Sequence, residues 1–219
     1  MQVLVLAKEP VAGRVKTRLC PPLTPEGAAA VAEAALRDTL DVVRAVEVRR
    51  RVLVLDGSYE APGFHVQPQV PGPMDVRLAA AFDDADPALA TLLIGMDTPQ
   101  LTPALLGGAV DALLRHRAVL GLAPDGGWWA LGLQVPDGAL LRGVRTSRDD
   151  TGARQRERLE QAGLAPYALP QLRDVDTIQD AQAAALLAPS GRFARVLADA
   201  LPVAPEVAAR NRARGRRAS

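Results

Sequence analysis

Cysteine is almost missing from this sequence. Cys20 stands alone among 219 residues, so no disulfide can form within the chain. That excludes a small fold stapled by disulfides and leads us to expect a reducing, cytoplasmic setting. Aromatic residues are scarce as well, at 3% against 48% hydrophobic residues. The core must therefore be assembled from Ala, Val and Leu, and an aromatic side chain outside it would stand out. Histidine appears only as His65 and His116, neither with the partner spacing of a zinc site. No Gly-x-Ser-x-Gly elbow occurs, which argues against an α/β-hydrolase. No segment approaches the roughly 20 apolar residues of a membrane span. The apolar opening Gln2–Ala7 stops at Lys8, too soon for a signal-peptide core. Neither sign of charge dominates. With 26 Lys and Arg against 25 Asp and Glu, the net charge of +1 gives no global reason to expect nucleic acid or a membrane as partner.

What is present suits one α/β domain. A chain of this length buries roughly 70% of its unfolded surface. We expect a domain over residues 1–201 and a basic, flexible tail over 202–219. The tail carries Arg210, Arg212, Arg214, Arg216 and Arg217 and no acid beyond Ala208. Runs rich in Val and Leu read as buried parallel strands at Gln2–Ala7, Arg51–Asp56, Ala90–Gly95 and Ala118–Ala123, with a shorter one at Phe64–Gln69. Trp128–Leu133 reads as a return strand after the turn signal Asp125-Gly126-Gly127. Thr24-Pro25 and Thr102-Pro103 each pair a capping hydroxyl with a proline at the first helical position. They predict helices to about Val46 and His116. Further helices are expected over Met74–Ala85, from about Asp150 to Ala162, and over Thr177–Leu187. Strands alternating with helices imply βαβ units and a mostly parallel sheet flanked by helices. Ligands in such sheets bind outside the carboxyl ends of the strands.

Five groups of residues lie where such a site would form. The loop from Ala7 and Lys8 to Leu19 packs Lys8, Arg14, Lys16 and Arg18 around Gly13, offering charge and donors to phosphate oxygens. The competing reading is a solvated basic loop. It is not a Walker loop, because no glycine precedes Lys16. Asp97, in Gly95-Met96-Asp97-Thr98-Pro99, leaves the end of a buried strand; it is either a magnesium ligand or the cap of a turn. Asp174 and Asp176 would point to one side of an extended segment and repel each other unless a cation intervenes. The alternative there is helix capping by Asp176 or Thr177. Asp125, Gly126, Gly127 and Trp128 offer a tight turn and an aromatic face for a base or sugar, with at least one of Trp128 and Trp129 expected in the core. Thr146 to Arg154, with Ser147 and Thr151, is either an anion site before a helix or an ordinary helix start.

In this order the motifs resemble a bacterial family of glycosyltransferase-A-type nucleotide-diphospho-sugar transferases, some associated with arsenosugar or selenium-domain gene clusters. Lys8, Pro10, Gly13, Lys16, Thr17, Arg18 and Leu19 match its first motif. Gly95, Asp97 and Pro99 match the second, Asp125 to Trp129 the third, and Asp174 to Thr177 the last. The layout is also similar to guanylyltransferases that activate phospholactate or molybdopterin. The resemblance implies a GT-A-like fold and a transferase acting on a nucleotide or nucleotide sugar and a small-molecule acceptor. It implies Mg2+ or Mn2+ at Asp97, Asp174 and Asp176, and catalytic roles for Lys16, Arg18 and Asp97. Metal-dependent glycosyl transfer is the leading expectation. Nucleotidylyl transfer with pyrophosphate release, and nucleotide binding without catalysis, are the alternatives. The chain departs from the family where Tyr pairs usually stand, here Trp128 and Trp129. It also departs in Gly72-Pro73-Met74-Asp75-Val76-Arg77, where Gly72 and Arg77 match but the acid has moved.

Overall fold

Residues 1–202 are described by the computed structural model; residues 203–219, and with them the arginines of the tail, lie outside the described residues. The Val- and Leu-rich runs form β1 (Gln2–Lys8), β2 (Arg50–Asp56), β4 (Thr91–Gly95) and β5 (Ala118–Leu122). The shorter β3 (His65–Pro68), β6 (Trp128–Leu133) and β7 (Tyr167–Ala168) complete a seven-stranded sheet in the order β3-β2-β1-β4-β6-β5-β7. Only β6 runs against its neighbours, β4 and β5. β1 lies inside the sheet, with Val5 opposite Leu53 on one side and Ile94 on the other.

Alternation along these strands sends side chains to two separate layers. Val3, Val5, Leu53 and Ile94 pack on α1 (Pro25–Ala45) and α3 (Pro103–Arg115), through Leu36, Leu40, Leu106 and Leu113. Leu4, Val52, Val54 and Leu93 pack on α2 (Met74–Asp83) and α4 (Thr151–Gln161), through Leu78, Phe82 and Leu159. Both Thr-Pro starts act as expected. Thr24 accepts from the Gly27 amide at 3.1 Å and Thr102 from the Leu105 amide at 3.2 Å. α5 (Ile178–Leu187) starts at a full capping box between Thr177 and Asp180.

Two elements go beyond the sequence reading. β7 has two residues and lies at the sheet edge. α6 (Arg192–Ala200) buries only Phe193 and Leu197, four residues apart, against α1 and α5. It is fixed by Asp38 on α1, which accepts from the Phe193 amide and the Arg192 guanidinium, both at 2.8 Å. Among the described residues no helix is long and apolar enough to cross a membrane.

Candidate functional site

The sheet order reverses between β1 and β4, and in doubly wound sheets such a reversal opens a crevice at the carboxyl ends of the strands. The loop after β1 is held over this crevice by buried Val15 and Leu19. Between them Lys16 adopts a left-handed backbone, with φ of 47°. This conformation is uncommon for a side chain other than Gly, Asn or Asp. It turns the ammonium inward: the side chain is only 11% exposed, and Nζ lies 2.7 Å from Oδ1 of Asp97. Nζ also donates to the Val175 carbonyl, and the Val175 amide donates to the Asp97 carbonyl at 2.9 Å. Lys16 therefore ties together three segments distant in sequence: the first loop, the exit of β4, and the strip before α5. The composition of the loop left open whether Lys16 was a solvated cation; here it is a largely buried clamp.

Val175 is buried beside Leu19, so its neighbours Asp174 and Asp176 are left facing the cleft. Thr177 and Asp180 do the capping, which frees Asp176 from that duty. Arg18 pairs with Asp176 at 3.1 Å, with both side chains largely in solvent. Burial pushes the Asp174 carboxyl up to about 8, and the nearby charges of Asp97, Asp125 and Asp176 add to this while Lys16 opposes it.

The cleft has two lobes that share Leu6, Arg18, Met74, Asp97 and Asp176. The first, of about 530 Å³, is lined by Lys8, Arg14, Lys16, Arg18 and Arg77 against Asp56, Asp97 and Asp176. Arg77 donates to Asp56 at 2.9 Å, to Gln69 at 3.2 Å and to the Gly72 carbonyl at 2.9 Å. The hydrogen bond from Arg77 holds the Asp56 carboxyl below its ordinary range. The second lobe, of about 420 Å³, reverses the balance. Asp97, Asp125, Asp149, Asp174 and Asp176 stand against Arg18 and Arg148, beside Trp128, Ser147 and Thr146.

A hard divalent cation suits this donor set. Carboxylate oxygens are its ordinary ligands, and Asp174, raised first by burial and then by the charges of Asp97, Asp125 and Asp176, would be returned toward its charged form by a cation. Among the described residues, however, no three acidic, His or Cys side chains are arranged to enclose a metal by themselves. The fit is to an ion held by one or two carboxylates and completed by substrate phosphates, as magnesium often is. Asp97 offers an accessible anchor, with 42% of its side chain exposed, although Lys16 already occupies one of its oxygens.

Most candidate residues line the cleft: Ala7, Lys8, Lys16, Arg18, Arg77, Asp97 and Asp176 in the first lobe, Asp125, Gly127, Trp128, Ser147, Thr151 and Asp174 in the second. Gly13 lines neither. Gly126 is a packing glycine: at φ of +88°, an added Cβ would lie 1.9 Å from the Asp149 carbonyl oxygen. Thr151 closes its own turn, donating to the Arg145 carbonyl at 3.1 Å and accepting from the Arg148 amide at 3.2 Å. The start of α4 is not an open anion cradle, because the Gly152 amide is taken by the Gly126 carbonyl at 2.7 Å and the Thr151 amide by the Arg148 carbonyl at 3.3 Å. Trp129 is the core tryptophan, donating from Nε1 to the Pro170 carbonyl at 2.9 Å; Trp128 is half-buried at the second lobe. Asp75, the displaced acid, accepts from the Gly143 amide at 2.9 Å and lines neither lobe. Sequence reasoning missed Asp56, Gln69 and Met74 as cleft residues, and placed Asp149 only within the stretch Thr146 to Arg154. The position of Asp56 at the end of a buried strand was the one available signal.

The sequence and the fold have known counterparts. A family model described as an uncharacterized protein conserved in bacteria, DUF2064, matches residues 29–148. The match spans more than half of the chain, and the chain belongs to that family. No curated protein matches the sequence. A candidate nucleotide-diphospho-sugar transferase from Desulfovibrio desulfuricans G20 superposes with a TM-score of 0.72 at 24% identity, covering 82% of this chain and 83% of that one. Rv0371c from Mycobacterium tuberculosis H37Rv, in complex with manganese, gives 0.51 at 22% identity over 84% and 96%. The 2-C-methyl-D-erythritol 4-phosphate cytidylyltransferase of Thermus thermophilus gives 0.53 at 18% identity over 86% and 98%. The fold is that of the nucleotide-diphospho-sugar transferases.

Proposed function

We propose that this protein is a metal-assisted transferase that takes a glycosyl group from a nucleotide-diphospho-sugar. The observation that carries this reading is the charge left over in the first lobe. Lys16, Arg18 and Arg77 are already paired with Asp97, Asp176 and Asp56. Among the described residues, Lys8 and Arg14 line the same lobe with no carboxylate partner. Two unpaired cations match the two charges of a diphosphate ester. The fold shared with the Desulfovibrio candidate nucleotide-diphospho-sugar transferase supports the same reading.

Asp97, with one of Asp174 and Asp176, would hold the divalent ion, which would supply charge neutralisation on the diphosphate. The manganese complex of Rv0371c, which shares the fold, supports a divalent metal. Lys8 and Arg14 bind phosphate oxygens and hold the donor in place. In transfer, an acceptor hydroxyl oxygen bonds to the anomeric carbon, and the bond from that carbon to the diphosphate oxygen breaks. The nucleoside diphosphate leaves with the bonding pair. The hydroxyl proton passes to a carboxylate of the second lobe. Negative charge grows on the leaving oxygens, so preorganised cations lower the barrier.

The nucleotidylyltransferase reading is favoured by the total of basic residues in the first lobe and by the fold shared with the Thermus cytidylyltransferase. Product analysis separates the two. Release of nucleoside diphosphate from a nucleotide sugar is expected. Release of pyrophosphate from a nucleoside triphosphate, with no reaction of nucleotide sugars, would overturn glycosyl transfer.

A further inference from the structure

We infer that the second lobe selects an uncharged, polyhydroxylated acceptor and rejects a phosphorylated one. The inference rests on the transfer reading, because it takes the first lobe as the donor's place.

A phosphate ester entering the second lobe needs a free cation or a set of free amides. The two cations of the lobe, Arg18 and Arg148, are outnumbered by its carboxylates, and each already contacts a carboxylate. Arg18 is paired with Asp176, and the Arg148 Nε lies 3.1 Å from Asp150. The Thr151 and Gly152 amides at the start of α4 are occupied by the Arg148 and Gly126 carbonyls. Five carboxylates line the lobe. A divalent ion at Asp97 and one of Asp174 and Asp176 would compensate part of this charge, but Asp125 and Asp149 lie outside that site. A dianionic acceptor would meet this uncompensated charge in a partly dry cleft.

The same lining suits a polyol. Carboxylates are acceptor-only groups, and several hydroxyl donors on one small molecule can satisfy them without importing charge. One oxygen of Asp125 accepts from the Gly127 amide at 3.0 Å, which fixes its orientation. No hydrogen bond in the described residues engages the Asp149 side chain, although its backbone is locked against Gly126. Ser147 stands at the rim in a left-handed backbone, with φ of 59°. Trp128 adds a half-buried ring, and an aromatic face packs well on the apolar face of a sugar ring. A cavity of about 420 Å³ accommodates a monosaccharide-sized molecule beside the donor.

The test uses the full chain with magnesium and paired probes: methyl glucoside with glucose 6-phosphate, myo-inositol with inositol 1-phosphate, and mannitol with mannitol 1-phosphate. Saturation-transfer NMR titrations give the affinity of each, and nucleoside diphosphate binding is measured on the same samples. At least one neutral probe should bind tenfold or more tightly than its phosphate. Trp128→Ala should abolish that binding, and Asp149→Asn should narrow the preference at least threefold. Melting curves of both variants verify that they fold. Tighter binding of every phosphate ester than of its parent, or no binding of any neutral probe, would overturn the inference while nucleotide binding persists. Failure of every nucleotide to bind would overturn the transfer reading, and the acceptor assignment with it.

Discussion

Replacing Lys16 with methionine keeps most of the side-chain volume and removes one ammonium from the centre of the cleft. Two contacts vanish with it: the 2.7 Å ion pair to Asp97 and the hydrogen bond to the Val175 carbonyl. A hydrogen bond to a charged group is worth about 1.5–3 kcal/mol. The value here is reduced because 42% of the Asp97 side chain is exposed and solvent screens the pair. We expect a net loss of about 1–2 kcal/mol. In a domain of this size each kcal/mol lowers the melting temperature by about 2–4 °C, so the fall should be about 2–8 °C. Turnover should fall much further, because Lys16 positions Asp97, the proposed metal anchor, and losing one preorganised charge at such a site costs on the order of 3 kcal/mol in a barrier, roughly a hundredfold. Differential scanning calorimetry and initial rates, on the same preparation, check both numbers. An unchanged melting temperature would refute the clamp. Undiminished turnover would remove Lys16 from the transfer step.

Gly126→Ala forces a Cβ to within 1.9 Å of the Asp149 carbonyl oxygen at a positive φ, and should cost about 2–4 kcal/mol in denaturant unfolding. Asp174, raised to about 8, should make stability fall as pH rises from the ordinary carboxyl value of about 3.9 to about 8. In that window the folded state keeps a proton that the unfolded state has lost. Asp174→Asn should flatten this part of a melting-temperature profile, and so should saturating magnesium; a wild-type slope in the variant would refute the assignment. The domain is proposed to close with α6 and Leu201, which packs beside α1 and α5. A chain ending after Pro202 should therefore melt within a few degrees of the full one by circular dichroism.

The strand ends were the most legible part of the site. A buried Val/Leu run followed by a charged residue marks a position at the carboxyl edge of a parallel sheet; Lys8 and Asp97, singled out on that ground, lie there, and so does Asp56, which was not. The alternation Asp174-Val175-Asp176 was legible too, since burying Val175 leaves its neighbours toward the cleft. Partners remote along the chain were not legible. Lys16 and Val175 are 159 positions apart, and no local pattern signals their hydrogen bond. The same holds for Gly126, whose turn signal was plain but whose contact with Asp149 depends on how α4 docks. α6 has readable spacing, Phe193, Val196, Leu197 and Ala200 at i, i+3, i+4 and i+7, but it is only nine residues long and no capping side chain marks its start at Gly191.

The central claim is that Asp97 anchors a metal-dependent nucleotide site at the reversal between β1 and β4. Isothermal titration of nucleoside diphosphates, with magnesium or manganese and then with chelator, tests it in the wild type and in Asp97→Asn. Metal-dependent binding in the wild type, weakened at least tenfold in the variant, is the predicted result. Binding that ignores the metal, or that survives intact in Asp97→Asn, would contradict it.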